Sequence, residues 1–282
     1  MNKKIVVITG ASGFIGRYVA KHLETDESFK VVPVARSKCE LDNFVQVEDY
    51  TKTPEGNYLV HLAEQPDCGK VNSEGDAYID IASSTLAVIL KNKYERVIYA
   101  SSSLVYGDQG EEPYMESSPV TTNNTYSVNK TKSENTIRSL ENGVVLRLAN
   151  VIGPGMSASN VVSDIISQIP GQGELVLRNG SPIRDFICVN DVAEVINKLL
   201  HSDISGIFNI GSGVGTSIVE LAQSCLNIAG EESRKVKSMV ADSAHSYNVM
   251  NIDKISNELG WRVRKPMSEC LQKIFLNHKR AE

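Results

Sequence analysis

Three glycines near the N-terminus restrict what this 282-residue chain can fold into. They are Gly10, Gly13 and Gly16; the motif follows the apolar run Lys4–Ile8 and opens the helical pattern Phe14–Glu24, whose first turn contains Gly16. Glycine permits a tight turn, lets a phosphate approach the backbone and allows a helix to pack closely on a strand. The loop can be merely a tight connection, but its context predicts a dinucleotide site at a helix N-terminus. The predicted cofactor contacts in this loop are Gly10, Ser12, Gly13, Phe14, Ile15 and Gly16.

Short apolar runs alternate with helical patterns through residues 1–150. Near-continuous Val/Ile runs are typical of parallel strands that are covered on both faces. We therefore predict an α/β fold: a Rossmann doubly wound parallel sheet over 1–150, which binds NAD(P), and a smaller C-terminal lobe. Residues 151–282 are predicted to form mainly this substrate-binding lobe, with 184–212 returning to the Rossmann domain. The predicted strands are Lys4–Ile8, Phe29–Val34, Phe44–Val47, Tyr58–Leu62, Arg96–Ala100 and Val144–Leu148, and the predicted helices are Phe14–Glu24, Ala77–Lys93, Tyr126–Leu140, Val192–Leu200, Ser217–Ile228 and Pro266–Asn277.

Composition narrows the class of protein. The net charge of −5 and the lack of a Lys/Arg-rich stretch argue against a nucleic-acid partner. The five cysteines are scattered and form no Cys-x-x-Cys pair, which argues against a disulfide framework or a metal site. No segment has the roughly 18 apolar residues that a membrane span needs. These features predict a cytoplasmic protein that binds neither metal nor membrane.

The end of the second predicted strand bears on the choice of cofactor. An acidic residue there would bind the ribose 2′-hydroxyl of NAD, whereas a cation would bind the 2′-phosphate of NADP. The sequence reads Arg36-Ser37-Lys38, and no carboxylate appears before Glu40. Arg36 can bind a phosphate bidentately, with Ser37 and Lys38 helping, or it can be an ordinary solvated arginine. We therefore favour NADP(H) as the cofactor and keep NAD(H) as the alternative.

A second constellation supplies groups for proton transfer. Tyr126 and Lys130 are four residues apart on a predicted helix, so their side chains share a face. A free tyrosine, with a pKa of about 10, is a poor base near neutrality, and a neighbouring ammonium lowers that pKa. Ser102 follows a predicted strand at the sheet edge where ligands bind, and it can donate a hydrogen bond to a substrate oxygen. A lone Tyr-x-x-x-Lys is usually a solvated pair, but with Ser102 and the glycine loop it predicts nicotinamide-dependent alcohol or ketone chemistry.

Over nearly its whole length the chain resembles the extended short-chain dehydrogenase/reductases of the nucleotide-sugar epimerase/dehydratase family. The motifs that carry the resemblance are Thr9–Gly16, His61–Ala63, Ser101–Gly107, Tyr126–Lys130, Arg147–Pro154, Arg184–Ala193, Phe208–Gly213 and Leu259–Trp261. The resemblance implies Ser102, Tyr126 and Lys130 as catalytic residues. It also implies cofactor contacts at Leu62, Ala63, Tyr126 and Lys130, and a homodimer that pairs through the helices at Ala77–Lys93 and Tyr126–Leu140.

The residues after Ser102 narrow the reaction. Family members that are 4,6-dehydratases carry a glutamate at the position of Leu104 and an aspartate at or near Ser103, and neither residue here can do carboxylate chemistry. Two reactions need only the Ser–Tyr–Lys group, namely 4-epimerisation and 4-keto reduction. We favour NADPH-dependent reduction of a nucleotide-diphospho-4-keto-6-deoxysugar, with Tyr126 as proton donor. An NAD-dependent nucleotide-sugar 4-epimerase is the alternative, and a non-catalytic dinucleotide sensor is the alternative from a different class.

The resemblance also implies substrate contacts, at Ser102, Ser103, Asn150, Asn160 and Arg184. Arg184 corresponds to the family's arginine that grips the nucleotide diphosphate, although it can instead form a structural ion pair. Asn160 can equally be simple turn chemistry. A second phosphate-binding arginine expected before Asn251 is absent from the sequence. The sequence does not identify the base, the sugar or the product stereochemistry.

Overall fold

In a computed structural model, the chain is described over residues 3–240 and 244–278. The strands are β1 (Lys4–Thr9), β2 (Phe29–Ala35), β3 (Val45–Gln46), β4 (Tyr58–His61), β5 (Arg96–Ser102), β6 (Gly143–Leu148), β7 (Asn150–Ile152), β8 (Leu175–Leu177), β9 (Ile183–Cys188), β10 (Gly206–Ile210), β11 (Gly215–Ser217), β12 (Val236–Ser238) and β13 (Tyr247–Asn248). The helices are α1 (Phe14–Leu23), α2 (Cys68–Glu74), α3 (Asp76–Ile89), α4 (Thr125–Arg138), α5 (Val161–Ile166), α6 (Val189–Leu200), α7 (Ile218–Ala229), α8 (Asp253–Leu259) and α9 (Met267–His278). Short 3₁₀ helices lie at Tyr50–Lys52 and Ser103–Tyr106.

A seven-stranded parallel sheet forms the centre of the described part of the chain. Its strand order is β3-β2-β1-β4-β5-β6-β10. The chain runs outward in one direction through β1, β2 and β3 and in the other through β4, β5, β6 and β10, so the order reverses between β1 and β4. In open α/β sheets, ligands bind at such a switch point, beyond the carboxyl ends of the strands.

Helices cover both faces of this sheet because side chains alternate between the faces along each strand. Val6 and Ile8 of β1 belong to the core that is shared with α1 and α6. Val7, between them, belongs to the opposite core, with Leu86 of α3 and Ile137 of α4. Burial on both faces explains why these strands read as uninterrupted apolar runs rather than alternating ones.

The C-terminal half of the chain adds a third apolar core and smaller sheets. Strand β9 pairs with β7, β11 and β13, while β8 pairs with β12. Helices α5, α7 and α9 bury an apolar face in this core, including Ile165, Leu221 and Leu271. Helix α6, which follows β9, packs instead against α1, and β10 then joins the large sheet beside β6.

The predicted fold class, an α/β fold with a doubly wound parallel sheet, is confirmed. The elements that were not predicted include helix α2 and strand β10, as well as α5, α8 and the short strands β7–β9 and β11–β13. Helix α2 has only seven residues, and β10 carries the buried polar residue Asn209, so neither has a long apolar pattern. Over residues 3–240 and 244–278, no helix combines the length and the apolar character needed to cross a membrane.

Candidate active site

The predicted site residues gather at the carboxyl edge of the large sheet. The glycine loop follows β1, Arg36 follows β2, and Leu62 and Ala63 follow β4. Ser102 ends β5, and α4, which carries Tyr126 and Lys130, packs against β5 and β6. Residues separated by more than 100 positions in the sequence thus meet at one edge, at the reversal of strand order.

The glycine loop turns tightly between β1 and α1. Gly10 has a φ of 76°, and a Cβ there would lie 2.7 Å from the carbonyl oxygen of Leu62. A Cβ on Gly16 would overlap the carbonyl oxygen of Gly10 and lie 2.8 Å from the Cα of Ala11. These two positions therefore require glycine for the fold itself. Gly13 differs, because it is exposed and a Cβ there would meet only the oxygen of Gly10, at 3.1 Å.

Helix α1 presents an N-terminus that fits a dinucleotide pyrophosphate. Its N-cap is Gly13, which supplies no side-chain cap, and the first turn contains no acidic residue. The first backbone N–H groups of a helix lack intrahelical acceptors and carry a partial positive charge. Ser12 and Ile15 are half-buried beside this turn, and Phe14 packs edge-on against Tyr18.

The loop after β2 is cationic and exposed. Arg36, Ser37 and Lys38 are all exposed there, and the guanidinium carbon of Arg36 lies 5.4 Å from the ring centroid of Tyr50. Tyr50 is buried, and its phenol interacts with the backbone of Gly10, so it joins the cationic loop to the glycine loop. Tyr50 was not predicted as a site residue. An aromatic ring beside the strand edge gives no signal of its own in the sequence.

Helix α4 begins where its capping groups place it. The side chain of Asn124 accepts a hydrogen bond from the N–H of Ser127, and the hydroxyl of Ser127 accepts one from the backbone N–H of Asn124, at 3.4 Å, which closes a capping box. The N–H of Tyr126 donates to Oδ1 of Asn72 on α2, at 3.0 Å. Tyr126 is consequently fixed in the first turn of the helix, with its ring directed towards β5.

Ser102, Tyr126 and Lys130 lie close together at the end of β5. The hydroxyl of Ser102 hydrogen-bonds with the phenol of Tyr126 and also accepts from the N–H of Leu104, at 3.2 Å. The Nζ of Lys130 lies 5.9 Å from the centroid of the Tyr126 ring and donates to the carbonyl of Ala100, at 3.0 Å. Burial raises the pKa of Tyr126 above its ordinary value, and the Lys130 charge and the Ser102 hydrogen bond only partly offset this.

A buried carboxylate lies directly behind Lys130. Oε2 of Glu64 is 3.0 Å from the Nζ of Lys130, and the two side chains are 6% and 7% exposed. Burial opposes the charged forms, but the ion pair and hydrogen bonds outweigh it, so the pKa of Glu64 is lowered and that of Lys130 is raised. Glu64 was missed in the sequence, although a carboxylate just past a strand end at the ligand edge is a signal that could have found it.

A second buried ion pair supports the strand that ends in Ser102. Arg147 on β6 and Glu134 on α4 approach to 2.7 Å with both side chains almost fully buried. Glu134 also accepts from the hydroxyl of Ser101, at 2.5 Å, and Arg147 donates to the phenol of Tyr106, at 2.8 Å. Such a network, once satisfied, fixes the position of β5 against α4.

The candidate substrate arginine is already partnered. Nη2 of Arg184 donates to the hydroxyl of Ser246, at 2.7 Å, and lies 3.5 Å from Oδ2 of Asp108. The Arg184 side chain is 22% exposed, so part of the guanidinium faces solvent. Asn150 lies on β7 beside the strand of Arg184, and its side-chain amide donates to the carbonyl of Asp185, at 2.9 Å.

Two further predicted substrate contacts, Asn160 and Ser103, form hydrogen bonds within the protein. Asn160 is the N-cap of α5, and its side-chain oxygen accepts from the N–H of Ser163. Ser103 is only 3% exposed, and its carbonyl accepts from the side-chain amide of Asn248. Leu104, next to Ser103, is 43% exposed. A substrate role for Asn160 and Ser103 stays a prediction.

The histidine at the end of β4 serves the fold. The hydroxyl of Thr9 and Nδ1 of His61 lie 2.7 Å apart in the interior. Burial lowers the pKa of His61 to about 4, so the ring is neutral near pH 7. Elsewhere in the described ranges, 3–240 and 244–278, no three His, Cys, Asp or Glu side chains are grouped so that they could hold a metal ion.

Comparison with known proteins identifies the family. Residues 6–211 match the NAD dependent epimerase/dehydratase family. The dTDP-D-glucose 4,6-dehydratase of Mus musculus is 25% identical, with 99% of this chain and 92% of that protein covered. The GDP-6-deoxy-D-talose 4-dehydrogenase of Aggregatibacter actinomycetemcomitans is 24% identical, with 88% and 92% covered.

The fold agrees with that assignment. The crystal structure of a UDP-glucose 4-epimerase from Bifidobacterium longum, in complex with NAD+ and UDP, superimposes with a TM-score of 0.82 at 20% identity. The superposition covers 98% of each chain. The family match spans the glycine loop, the Ser–Tyr–Lys group and all seven strands of the large sheet up to β10. The chain therefore belongs to the NAD dependent epimerase/dehydratase family.

Proposed function

We propose that this protein is an NADPH-dependent reductase that converts a nucleotide-diphospho-4-keto-6-deoxysugar into the 4-hydroxy sugar. One observation carries the proposal. Ser102, Tyr126 and Lys130 meet at the sheet edge, while the adjacent 3₁₀ helix offers Ser103 and the half-exposed Leu104 in place of a carboxylate. The site thus has a proton donor for a carbonyl oxygen and, on that helix, no acid or base for removing water from a sugar.

The chain's own residues would divide the chemistry as follows. When bound, the reduced nicotinamide supplies the hydride that reduces C4 of the sugar. Ser102 donates a hydrogen bond to the carbonyl oxygen, and Tyr126 transfers its phenolic proton to that oxygen. The C=O double bond thereby becomes a C–O single bond, with a new C–H bond from the hydride and a new O–H bond from the phenolic proton. The Tyr126 phenolate then regains a proton from solvent. Lys130 carries the positive charge that stabilises this transient phenolate.

The cationic loop after β2 supports NADP(H) over NAD(H). Arg36, Ser37 and Lys38 are exposed, so they are free to meet a 2′-phosphate, and the ring of Tyr50 limits the positions of the Arg36 guanidinium. A net reductase releases its oxidised cofactor after each turnover, which suits an open, exposed site. NAD(H) remains the alternative because the solved relative described above holds NAD+.

A nucleotide-sugar 4-epimerase is the second candidate function. The same three side chains suffice for it, because Tyr126 as phenolate can remove a proton from the C4 hydroxyl and later return it. Two observations support the reductase. One relative is a GDP-6-deoxy-D-talose 4-dehydrogenase, and the loop after β2 is cationic. A sensor that binds the dinucleotide without turnover is the candidate from a different class.

Purified protein can distinguish these functions. The substrate is a nucleotide-4-keto-6-deoxysugar made in situ by a 4,6-dehydratase, and the readout is loss of NADPH absorbance against the 4-hydroxy product. We expect one NADPH to be consumed per product molecule and NADH to serve poorly. Interconversion of two nucleotide sugars without added NADPH, by protein that retains cofactor through gel filtration, would show an epimerase and overturn the proposal.

A tyrosine pair tests the catalytic assignment. Tyr126→Phe should still bind NADPH but lose turnover by about 10²- to 10⁴-fold, the usual contribution of a general acid. The matched control is Tyr94→Phe, which removes another buried phenol just before β5, at the end of the strand away from Ser102. Unaltered turnover in Tyr126→Phe would disprove the mechanism. Cofactor binding without turnover on any sugar nucleotide, in the unaltered protein, would favour the sensor.

We also propose an assembly and a division of labour between the halves. Residues 1–150 would bind the cofactor, and 151–282 would mainly form the substrate lobe, with 184–212 returning to the Rossmann domain.

The protein would be a cytoplasmic homodimer that pairs through α3 and α4, where Ile81 is 64% exposed. Ile81→Arg should then give a monomer in sedimentation, and an unchanged sedimentation coefficient would place the interface elsewhere.

A further inference from the structure

Glu64 is surrounded by hydrogen-bond donors from β5 and α4. Its Oε2 accepts hydrogen bonds from the phenol of Tyr99, at 2.7 Å, and from the side-chain amide of Asn129, at 3.0 Å. Its Oε1 accepts from the hydroxyl of Ser133, at 2.6 Å. With Lys130 at 3.0 Å, the carboxylate has four partners and is 6% exposed. A carboxyl group this well supplied with donors is held as the anion.

Lys130 is held equally firmly. Two acceptors, Glu64 Oε2 and the carbonyl oxygen of Ala100, each lie 3.0 Å from its Nζ. An ammonium has three N–H donors, so one remains for other partners. The Nζ also lies 5.0 Å from the ring centroid of Tyr99 and 5.9 Å from that of Tyr126. The ion pair therefore fixes the ammonium beneath the catalytic ring before any ligand binds.

We propose that Glu64 is a positioning residue. It holds Lys130 as an ammonium and keeps Tyr126 a phenol at neutral pH, so that this phenol can protonate a carbonyl oxygen. Only the catalytic use of this phenol rests on the proposed function, because a reductase needs the phenol at the start of each turnover. The protonation state itself is a property of the cofactor-free protein and can be measured without any sugar.

Charge counting gives the reason. With the carboxylate ionised, the ammonium charged and the phenol intact, the three groups sum to zero. Loss of the phenolic proton leaves one net negative charge in a buried site, which is costly. Without the carboxylate, the zero sum is reached only after Tyr126 or Lys130 has lost a proton. Glu64 therefore raises the pH at which the Tyr126–Lys130 pair deprotonates, whichever of the two carries the residual proton.

The other titratable groups that face the pair come from β4, α2, α3 and β5, and they do not disturb this count near pH 7. They are His61, Cys68, Tyr78 and Tyr99. Burial lowers the pKa of His61 to about 4, which leaves the imidazole neutral. Burial raises the pKa of the Cys68 thiol and of both phenols, which leaves these neutral as well. The carboxylate, the ammonium and the Tyr126 phenol are then the groups that set the net charge of this cluster.

The test is a near-ultraviolet titration of phenolate absorbance in the cofactor-free protein. Subtracting the Tyr126→Phe curve isolates the Tyr126 step from those of the other tyrosines. In unaltered protein we expect Tyr126 to stay a phenol through neutral pH and to ionise no earlier than a free tyrosine, whose pKa is about 10. Phenolate at pH 7 in this difference curve would overturn the proposal without any change at Glu64.

Glu64→Gln supplies the direct comparison, because it keeps the shape of the side chain and removes its charge. We expect the deprotonation of the pair, read by phenolate absorbance and by the pH profile of turnover, to move about 1–3 pH units lower. Ser133→Ala is the matched control: it removes one hydrogen bond to the same carboxylate, leaves the charge and should leave the titration in place. A Glu64→Gln protein that is less stable but deprotonates at the unaltered pH would make Glu64 merely structural. Failure to reduce any keto sugar, with the expected titration, would instead count against the proposed function alone.

Discussion

Arg184 and Asp108 lie 3.5 Å apart, with the hydroxyl of Ser246 between them as a shared partner. Ser246 accepts from Nη2 of Arg184 and donates to Oδ2 of Asp108, at 2.6 Å. The arginine that the family resemblance assigns to a diphosphate is therefore balanced by a carboxylate before ligand arrives. If Arg184 binds a diphosphate as the resemblance implies, that diphosphate has to compete with Asp108 for the guanidinium.

We expect Arg184→Met to weaken the binding of a nucleoside diphosphate by about 10- to 100-fold, the loss that follows removal of a charged hydrogen-bond donor. Asp108→Asn should tighten binding by a smaller factor, because it removes the competing charge. Calorimetric dissociation constants for a nucleoside diphosphate check both variants. Equal binding by Arg184→Met and by unaltered protein would make the ion pair with Asp108 purely structural.

Arg36→Gln tests the choice of cofactor. Loss of the guanidinium should raise the KM for NADPH by about 10- to 100-fold and leave the KM for NADH nearly unchanged, because only NADPH carries the 2′-phosphate. Lys30→Gln is the control, since Lys30 is an exposed cation near the amino end of the same strand, β2. Equal effects on both cofactors would contradict a 2′-phosphate role for Arg36.

Local patterns in the sequence predicted the parts of the site that local geometry fixes. The order of strand, glycine turn and helix placed the loop around Gly13, and the four-residue spacing placed Tyr126 and Lys130 on one face of α4. Both patterns depend on contacts between neighbours in the chain. The parallel sheet followed from the same alternation of apolar runs and helical patterns.

Contacts between distant segments were not predictable in this way. Glu64 reaches Lys130 only because β4 and β5 pair in one register, Tyr58 beside Arg96, and α4 then packs over both strand ends. Tyr50 meets Arg36 through the pairing of β2 with the short strand β3. Neither contact leaves a periodic trace in the sequence, since each depends on tertiary packing across a sheet.

The buried histidine should make stability depend on pH. The pKa of His61 is about 4 in the folded protein and near 6.5 in the unfolded chain, so the unfolded chain binds the extra proton between these values. The free energy of unfolding should thus be highest above pH 6.5 and fall by about 1.4 kcal/mol per pH unit towards pH 4. Glu64, with its lowered pKa, adds to the loss only at the acid end of this range.

Denaturant unfolding at a series of pH values checks this slope. His61→Gln should lower stability at pH 7 because it disturbs the bond with the Thr9 hydroxyl, but it should flatten the dependence between pH 5 and pH 6.5. His22→Gln, at a half-buried histidine of α1, is the control for the removal of a histidine as such. An unflattened slope in His61→Gln would assign the acid sensitivity to other groups.

Within the glycine loop, Gly16 should matter for folding and Gly13 for cofactor binding. A Cβ on Gly16 would press into the backbone of Gly10 and Ala11, so Gly16→Ala should destabilise the protein by about 1–3 kcal/mol even without cofactor. A Cβ on Gly13 would meet only one atom, at 3.1 Å, and Gly13 has a φ of −74°, which any residue adopts. Gly13→Ala should therefore fold almost normally, but its methyl group would occupy the surface that a phosphate approaches.

Thermal unfolding with and without NADPH measures both effects. A ligand present at 100 times its dissociation constant stabilises a folded protein by about 2.7 kcal/mol. At that NADPH concentration unaltered protein should show a gain of this size. A tenfold rise in the dissociation constant of Gly13→Ala should reduce the gain to about 1.4 kcal/mol, and a hundredfold rise to about 0.4 kcal/mol. Gly16→Ala should start from a lower melting temperature. If Gly13→Ala gained as much from NADPH as unaltered protein, the pyrophosphate would not approach the N-terminus of α1 at Gly13, and the loop would be a tight connection only.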